Sequence, residues 1–198
     1  MCSCSITIER VTDAVPRRIV LDGATGSGKS TAAARIARRL GVPLIDADEI
    51  GWLPGWVARD RDEQRALITD ATAGDAWVVD SAYNSWSDLL LPRAELIVGL
   101  DYPRWLSLGR LLTRTARRLC SREPVCNGNR ETLRRVLARD SIIVWHFSSW
   151  KHKRDRMRAW AADPAAPRTV LFRRPAELEA WIEALPSREA RTGGASVD

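Results

Sequence analysis

The chain passes from a short apolar run, Ile19-Val20-Leu21, into the stretch Gly23-Ala24-Thr25-Gly26-Ser27-Gly28-Lys29-Ser30, and leaves it directly for an alanine- and arginine-rich segment that reads as a helix. That order confines the fold. A buried strand that opens a helix through a tight glycine turn is the first unit of a parallel α/β sheet. The stretch fits the pattern G-x-x-x-x-G-K-[ST], whose chemistry is phosphate binding. Its glycines let the backbone turn sharply and aim successive N–H groups inward, at the positive end of the following helix. Lys29 would bridge the β- and γ-phosphates of a nucleoside triphosphate, and the Ser30 hydroxyl would take one position on Mg²⁺. The expected cofactors are ATP and Mg²⁺, held by Gly23, Thr25, Gly26, Ser27, Gly28, Lys29, Ser30 and Thr31. A merely flexible Gly/Ser turn would need neither the strand before it nor the helix after it.

The rest of the chain repeats the alternation. Residues 18–21 are expected as the first strand and 29–40 as a helix stopped by Gly41. Residues 43–45 follow as a second strand leading into an acidic loop, 60–73 as a helix, 77–79 as a buried strand and 96–100 as another. Pro103 stands at a tolerated first-turn position of the next helix. A turn-rich loop over 121–129 separates that helix from a second basic one beginning near Arg130. A strand at 169–172 and a helix at 175–185 complete the pattern. The fold class is α/β, a mostly parallel five-stranded sheet flanked by helices, with a helical arginine-rich lid at about 117–132. Residues 1–16 read as an extension with a strand at 5–8, 17–185 as one domain, and 186–198 as a polar, disordered tail.

No apolar run approaches the ~18 residues of a membrane span, and the start Met1-Cys2-Ser3-Cys4 lacks the basic and apolar blocks of a signal peptide, so the expected compartment is the cytoplasm. Cys2, Cys4, Cys120 and Cys126 do not follow paired C-x2-C zinc spacing and read as reduced thiols, with a metal or a disulfide clip across Cys120 and Cys126 as the alternative. The net charge of +6 is unevenly spread. Residues 104–158 hold 15 Lys/Arg against 4 Asp/Glu, and the remainder 16 against 21. A local basic field suits a polyphosphate or a nucleic acid, and a solvated helix face is the plainer reading.

In parallel sheets ligands bind beyond the carboxyl ends of the strands, which draws attention to Gly23, Asp46, Asp48, Asp80 and Asp101. Asp48 could take a proton from an acceptor hydroxyl or hold a hydrated Mg²⁺. Asp46 is the lesser member of the pair, and helix capping or solvation is the plainer reading for both. Either Asp80 or Asp101 could be the Mg²⁺ carboxylate. Asp80 is preferred because the strand beside the phosphate loop usually supplies it, while capping of the Pro103 helix competes for Asp101.

After Pro103, the residues Trp105, Leu108, Leu112 and Leu119 form an apolar stripe, with Arg110, Arg114, Arg117 and Arg118 on another face. Arg110 and Arg114 would stabilise charge on a transferring phosphoryl group, whereas Arg117, Arg118 and Arg122 read as surface. Trp52 and Trp56, around Pro54-Gly55, would stack on an acceptor ring or pack a small acceptor subdomain. Trp77 and Trp181 read as core. His146 and His152 sit in no constellation with Ser or Cys and read as non-catalytic.

With these residues in place, the chain resembles the adenylate-kinase-like P-loop NTPases of the topology modulation protein group, within the wider nucleoside and nucleotide kinases. The likeness spans about residues 18–183. It rests on the phosphate loop, on Leu44-Ile45-x-x-Asp48 with Trp52-x-Pro54-Gly55-Trp56, on Trp77-Val78-Val79-Asp80-x-x-Tyr83, on Leu91-Pro92-Arg93-Ala94, and on Leu100-Asp101-x-Pro103-Arg104-Trp105. The resemblance implies Asp48 on the acceptor side, Asp80 near Mg²⁺, Arg110 and Arg114 in the lid, and Arg173, in the Arg173-Arg174-Pro175 turn, near the adenine. The chain departs from relatives at Ser81, where Gly is usual, and at Ala82, where Asn is common, and it lacks the four-cysteine lid of some adenylate kinases.

The expected function is an ATP-dependent phosphotransferase acting on a small molecule, a nucleoside or a nucleotide. The alternatives are a nucleotide-dependent nucleic-acid-binding or regulatory protein, a polynucleotide kinase, and a P-loop binding module. No membrane partner is expected.

Overall fold

The structure, a computed structural model, describes residues 15–121, 126–129, 132, 136, 138 and 141–187. The expected strand at 5–8, most of the expected lid loop, the helix start near Arg130 and the tail beyond residue 187 lie outside the described residues.

Strand β1 (Arg18–Gly23) is the centre of a five-stranded, wholly parallel sheet. Its neighbours are β5 (Trp77–Val79) on one side and β6 (Leu96–Leu100) on the other; β2 (Leu44–Ile45) and β7 (Arg168–Phe172) form the edges. These strands are short, and their centres are apolar because helices cover both faces. The period-two alternation of β1 divides the core. Ile19 and Leu21 join one cluster with Ala33, Ile36, Val98 and Ile182, and Val20 joins the other with Trp77, Val79, Trp86 and Ile97. Trp77 is thus core as expected, and Trp181 packs against the first cluster from a half-buried position.

Helix α1 (Lys29–Leu40) buries Ala32, Ala33, Ile36, Ala37 and Leu40, one stripe at helical spacing, and ends at Gly41, whose φ of 68° suits a glycine cap. The stretch expected as an acidic loop is instead helix α2 (Ala47–Gly51), followed by an antiparallel hairpin of β3 (Trp52–Leu53) and β4 (Val57–Ala58). The helix forms because the Asp46 carboxylate caps it, accepting from the Asp48 N–H at 2.8 Å. Helix α3 (Arg61–Ala71) is capped by Asp60 in the same way. A short helix α4 (Ser87–Leu90) and a 3₁₀ turn (Leu91–Arg93) then lead into β6.

Helix α5 (Arg104–Ser121) departs from expectation in the face it buries. Ser107, Leu111 and Thr115 point inward, while Trp105 is 72% exposed and Leu112 46%. The reason is the close approach of the phosphate loop: a Cβ on Gly26 would lie 2.3 Å from the Ser107 carbonyl oxygen and 2.8 Å from Leu111 Cβ. Helix α6 (Ile142–Ala162) is capped by Ser141 and lies over β1 and β7. It can settle on the sheet because Gly99 lacks a side chain, where a Cβ would meet Leu171 at 2.5 Å and Met157 Sδ at 3.2 Å. Helix α7 (Pro175–Ala184) closes the described chain. Among the described residues no helix is long and apolar enough to cross a membrane.

Candidate phosphate-transfer site

The phosphate loop runs from the carboxyl end of β1 into α1. Its first turn is closed by Ser27 N–H to the Ala24 carbonyl at 3.0 Å, and Gly26 and Gly28 take φ of 82° and 93°, a region that favours glycine. Helix α1 has no side-chain cap and no acidic residue in its first turn. Its leading N–H groups and its positive end therefore remain available to an anion. Gly28, Ser30 and Thr31 are exposed, and Thr25 and Ser27 are buried beneath them. A loop with donors outward, small residues below and Lys29 at its end fits a polyphosphate.

Two helices brace this loop. From α5, Arg110 Nη1 donates to the Ser27 carbonyl at 3.0 Å, and its guanidinium lies 5.7 Å from the Tyr102 ring centroid. Arg110 is thus already against the loop. Arg114 stands one turn further along α5, and both line an open groove with Trp105 and Arg117. From α6, buried His146 places Nδ1 3.0 Å from the Thr25 carbonyl, which can only accept, so Nδ1 carries the proton. Burial also holds the His146 pKa below the ordinary histidine value and keeps the ring neutral. Histidine at 146 is thus part of the loop's support, a role invisible without the fold.

A second link joins α6 to β1. Asp22, fully buried just before the loop, accepts from Arg156 Nη2 at 2.7 Å and Nε at 3.2 Å. Arg156 also donates to the Ala82 carbonyl at 3.0 Å and to the Asn84 side chain, and its guanidinium lies 4.8 Å from the Trp160 ring centroid. One arginine therefore ties β1, the segment after β5, and α6. Neither Asp22 nor Arg156 stands out in the sequence, because the pair is 134 residues apart.

On the other side of β5 lie the carboxylates. Asp80 is buried and accepts from the Ala47 N–H at 2.9 Å, which fixes α2 against the end of β5. Burial, and then the Asp80 and Asp48 carboxylates, push the Asp46 pKa up to about 6. Asp48 is exposed in the first turn of α2 and accepts a hydrogen bond from the Tyr83 hydroxyl. The Tyr83 ring stacks on buried Trp86 with centroids 4.7 Å apart and an interplanar angle of 15°. It reaches Asp48 past Gly51, where a Cβ would lie 2.9 Å from the ring. Burial and the Asp48 charge raise the Tyr83 pKa far above the usual phenol range, so this hydroxyl remains a donor. Sequence reasoning included Tyr83 only as part of a motif and assigned it no role.

Asp101 takes no such position. Both of its oxygens are engaged by α6, Oδ1 by Arg154 Nε at 2.8 Å and Oδ2 by Arg158 at 2.9 and 3.0 Å. Asp101 thus anchors α6 through both carboxylate oxygens. Among the described residues no three His, Cys, Asp or Glu side chains gather to hold a metal.

Trp52 and Trp56 meet edge to face at 6.0 Å across the hairpin, where the Trp56 N–H donates to Asn129 Oδ1 at 2.9 Å. The neighbouring Asn127 amide donates to the Trp52 carbonyl at 2.6 Å, so the hairpin and the turn at 126–129 form one small unit beside α2. This agrees with subdomain packing by the tryptophans. Cys126 in that turn and Cys120 on α5 are free thiols, without the clip. Arg173 is exposed at the carboxyl end of β7, and its N–H donates to Glu177 at 3.0 Å.

No protein-family model matches the chain, and no curated protein matches it. Among solved structures, a gluconokinase from Sinorhizobium meliloti 1021 aligns over 93% of this chain and 100% of its own, with a TM-score of 0.50 and 22% identity. A shikimate kinase from Bacteroides thetaiotaomicron aligns over 85% and 96%, with a TM-score of 0.49 and 16% identity. A deoxyadenosine kinase from M. mycoides aligns over 83% and 94%, with a TM-score of 0.47 and 13% identity. The first of these likenesses extends over nearly the whole of both chains, and the chain has the parallel α/β fold of that gluconokinase.

Proposed function

We propose that this protein is an ATP-dependent phosphotransferase acting on a small hydroxyl- or phosphate-bearing acceptor. The observation that carries the reading is the pairing of a phosphate loop at the end of β1 with a tyrosine-held carboxylate, Asp48, beyond β2 on the same edge of the sheet. The loop N–H groups of residues 23–31 and Lys29 bind and orient the triphosphate, and Arg110 and Arg114 add positive charge above it. Asp48, oriented by Tyr83, accepts the proton of the acceptor hydroxyl. Arg173 lies on the adenine side. Ser30 and Asp80 would hold Mg²⁺, which would supply charge neutralisation at the phosphates.

The fold shared with a gluconokinase is in keeping with a small acceptor, a sugar acid, nucleoside or nucleotide being the candidates. Four arginines of the basic segment are engaged within the domain, Arg154 and Arg158 on Asp101, Arg156 on Asp22 and Arg110 on the loop, which supports the small-molecule reading over nucleic-acid binding. Membership of the topology modulation protein group is part of the same proposal. The test is a transfer screen with labelled ATP against nucleosides, nucleotides, small sugars, sugar acids and oligonucleotides. Lys29→Ala should retain the fold and lose transfer by about two orders of magnitude or more. Full transfer in that variant would refute the reading, and salt-sensitive oligonucleotide binding without small-molecule transfer would replace it.

A further inference from the structure

Two carbonyl groups of the phosphate loop are tied outward by side chains of neighbouring helices, Thr25 by His146 of α6 and Ser27 by Arg110 of α5, each at 3.0 Å. A trans peptide is planar, so its C=O and N–H point in opposite directions. Holding the Thr25 carbonyl therefore turns the Gly26 N–H away from α6, and holding the Ser27 carbonyl turns the Gly28 N–H away from Arg110. A nest for phosphate needs N–H groups aimed at one point, and here their aim is set from behind. The peptide between Thr25 and Gly26 is gripped at both ends, because Gly26 lies so close to α5 that a Cβ on it would run into the Ser107 carbonyl.

His146 can hold its end in one protonation state. The ring is fully buried, Nδ1 must carry a proton to donate to Thr25, and Nε2 is buried without a hydrogen-bond partner among the described residues. A proton added at Nε2 would bury both an unpaired donor and a charge. The charged groups that act on the ring are cations, Arg104 from α5 and Lys153 from α6 itself. Helix α6 also packs on β1 and β7. The β1 carboxylate, Asp22, is taken by Arg156, and the one charge within β7, Arg168, stands at the amino end of its strand, away from the loop. A charged ring would gain by leaving this seat for water, and the Thr25 carbonyl would then lose its donor.

We propose that His146 is a positioning residue for the nucleotide: as the neutral Nδ1–H tautomer it aims the Gly26 N–H into the phosphate nest, and a second proton on the ring frees the Thr25 peptide and weakens nucleotide binding. The proposal rests on the reading of residues 23–30 as the triphosphate site of a phosphotransferase.

The test measures Mg-ADP affinity by calorimetry on the full chain, for wild type, His146→Asn and His146→Leu, from about pH 8 to about pH 5. Asparagine offers an amide donor in place of Nδ1–H and takes up no proton, and leucine fills the space without a donor. At the upper pH the Leu variant should bind about tenfold more weakly than wild type, the effect of one unpaired buried carbonyl, and the Asn variant should recover most of that loss. As pH falls, wild type should lose affinity relative to the Asn variant, a ratio in which the titration of the nucleotide and of shared groups such as Asp46 cancels. Nitrogen NMR of the wild type should show His146 protonated at Nδ1 alone, and Mg-ADP should lower the pH at which the second proton arrives. A phosphate that was merely near the ring would raise it. Wild-type affinity in the Leu variant, parallel pH profiles of wild type and Asn variant, or a neutral ring protonated at Nε2 would overturn the role of His146 and leave the kinase reading standing. Nucleotide binding without transfer to any acceptor would remove the kinase reading alone, and failure of the wild type to bind Mg-ADP would overturn both. Should thermal unfolding show the two variants misfolded, the shift that Mg-ADP causes in the wild-type ring titration decides.

Discussion

Replacing Asp101 with alanine separates two roles that a carboxylate at the end of β6 can have. The side chain is fully buried and takes three hydrogen bonds, one from Arg154 and two from Arg158. The two arginine side chains are 33% and 44% exposed, so after the substitution each guanidinium can turn into water and is not stranded. Charge-assisted bonds contribute about 1.5–3 kcal/mol each before that re-solvation. Solvent screening of half-exposed partners reduces the set to about 2–3 kcal/mol, below the cost of breaking a fully buried pair. For a chain of this size each kcal/mol is worth about 2–4 °C, which places the expected loss at about 4–12 °C in melting temperature. Calorimetric melting of wild type, Asp101→Ala and Asp101→Asn, with Mg²⁺ titrations of nucleotide binding alongside, provides the measurement. The expected outcome is a destabilised protein whose Mg²⁺ dependence is unchanged. An unaltered melting temperature together with lost Mg²⁺ dependence would refute the anchoring role and return Asp101 to the metal.

The glycines of the phosphate loop should separate in the same manner. Gly26→Ala drives a Cβ into the Ser107 carbonyl at a φ of 82° and should cost about 3 kcal/mol or more in urea unfolding, while Gly28→Ala, which meets only the end of the Arg110 side chain at 3.4 Å, should cost about 1–2 kcal/mol and lose nucleotide affinity instead. Equal destabilisation by the two would count against the packing of α5 on the loop. Asp46→Asn should stabilise the protein selectively at higher pH. The folded-state pKa of Asp46, about 6, is raised above the ordinary aspartate value, so wild-type stability from this group is fully present below about pH 4 and lost as pH rises through 6. The amide can still cap α2 and carries no charge. Unfolding titrations should therefore coincide near pH 4 and diverge by pH 8 in favour of the variant, and a gap of equal size at both would contradict the burial of the charge.

The local signals were legible because each is written over a few consecutive residues. The strands at β1, β5 and β6, the glycine loop and the start of α1 follow from apolar runs and backbone requirements that neighbours in sequence impose on one another. Asp48 and Asp80 could be found from the rule that parallel sheets bind ligands at their carboxyl ends. The stripe of Trp105, Leu108, Leu112 and Leu119 misdirected the reading of α5, because the loop at Gly26 approaches the helix at Ser107 and Leu111 and so turns that face inward. The acidic stretch after β2 read as a loop because a five-residue helix holds too little periodicity to declare itself, and its tie to Asp80 is tertiary.

By itself the sequence determined the five sheet strands and the helices at 29–40, 61–71 and 175–184, the glycine loop, and the carboxylates at the strand ends, since these depend on short-range chemistry. Only the tertiary structure decided which charges neutralise one another. Asp22 with Arg156, Asp101 with Arg154 and Arg158, and His146 on the Thr25 carbonyl join residues 53 to 134 positions apart. No local pattern encodes such pairs, because burial compels a charge to find a partner and the packing of α6 across the sheet supplies it.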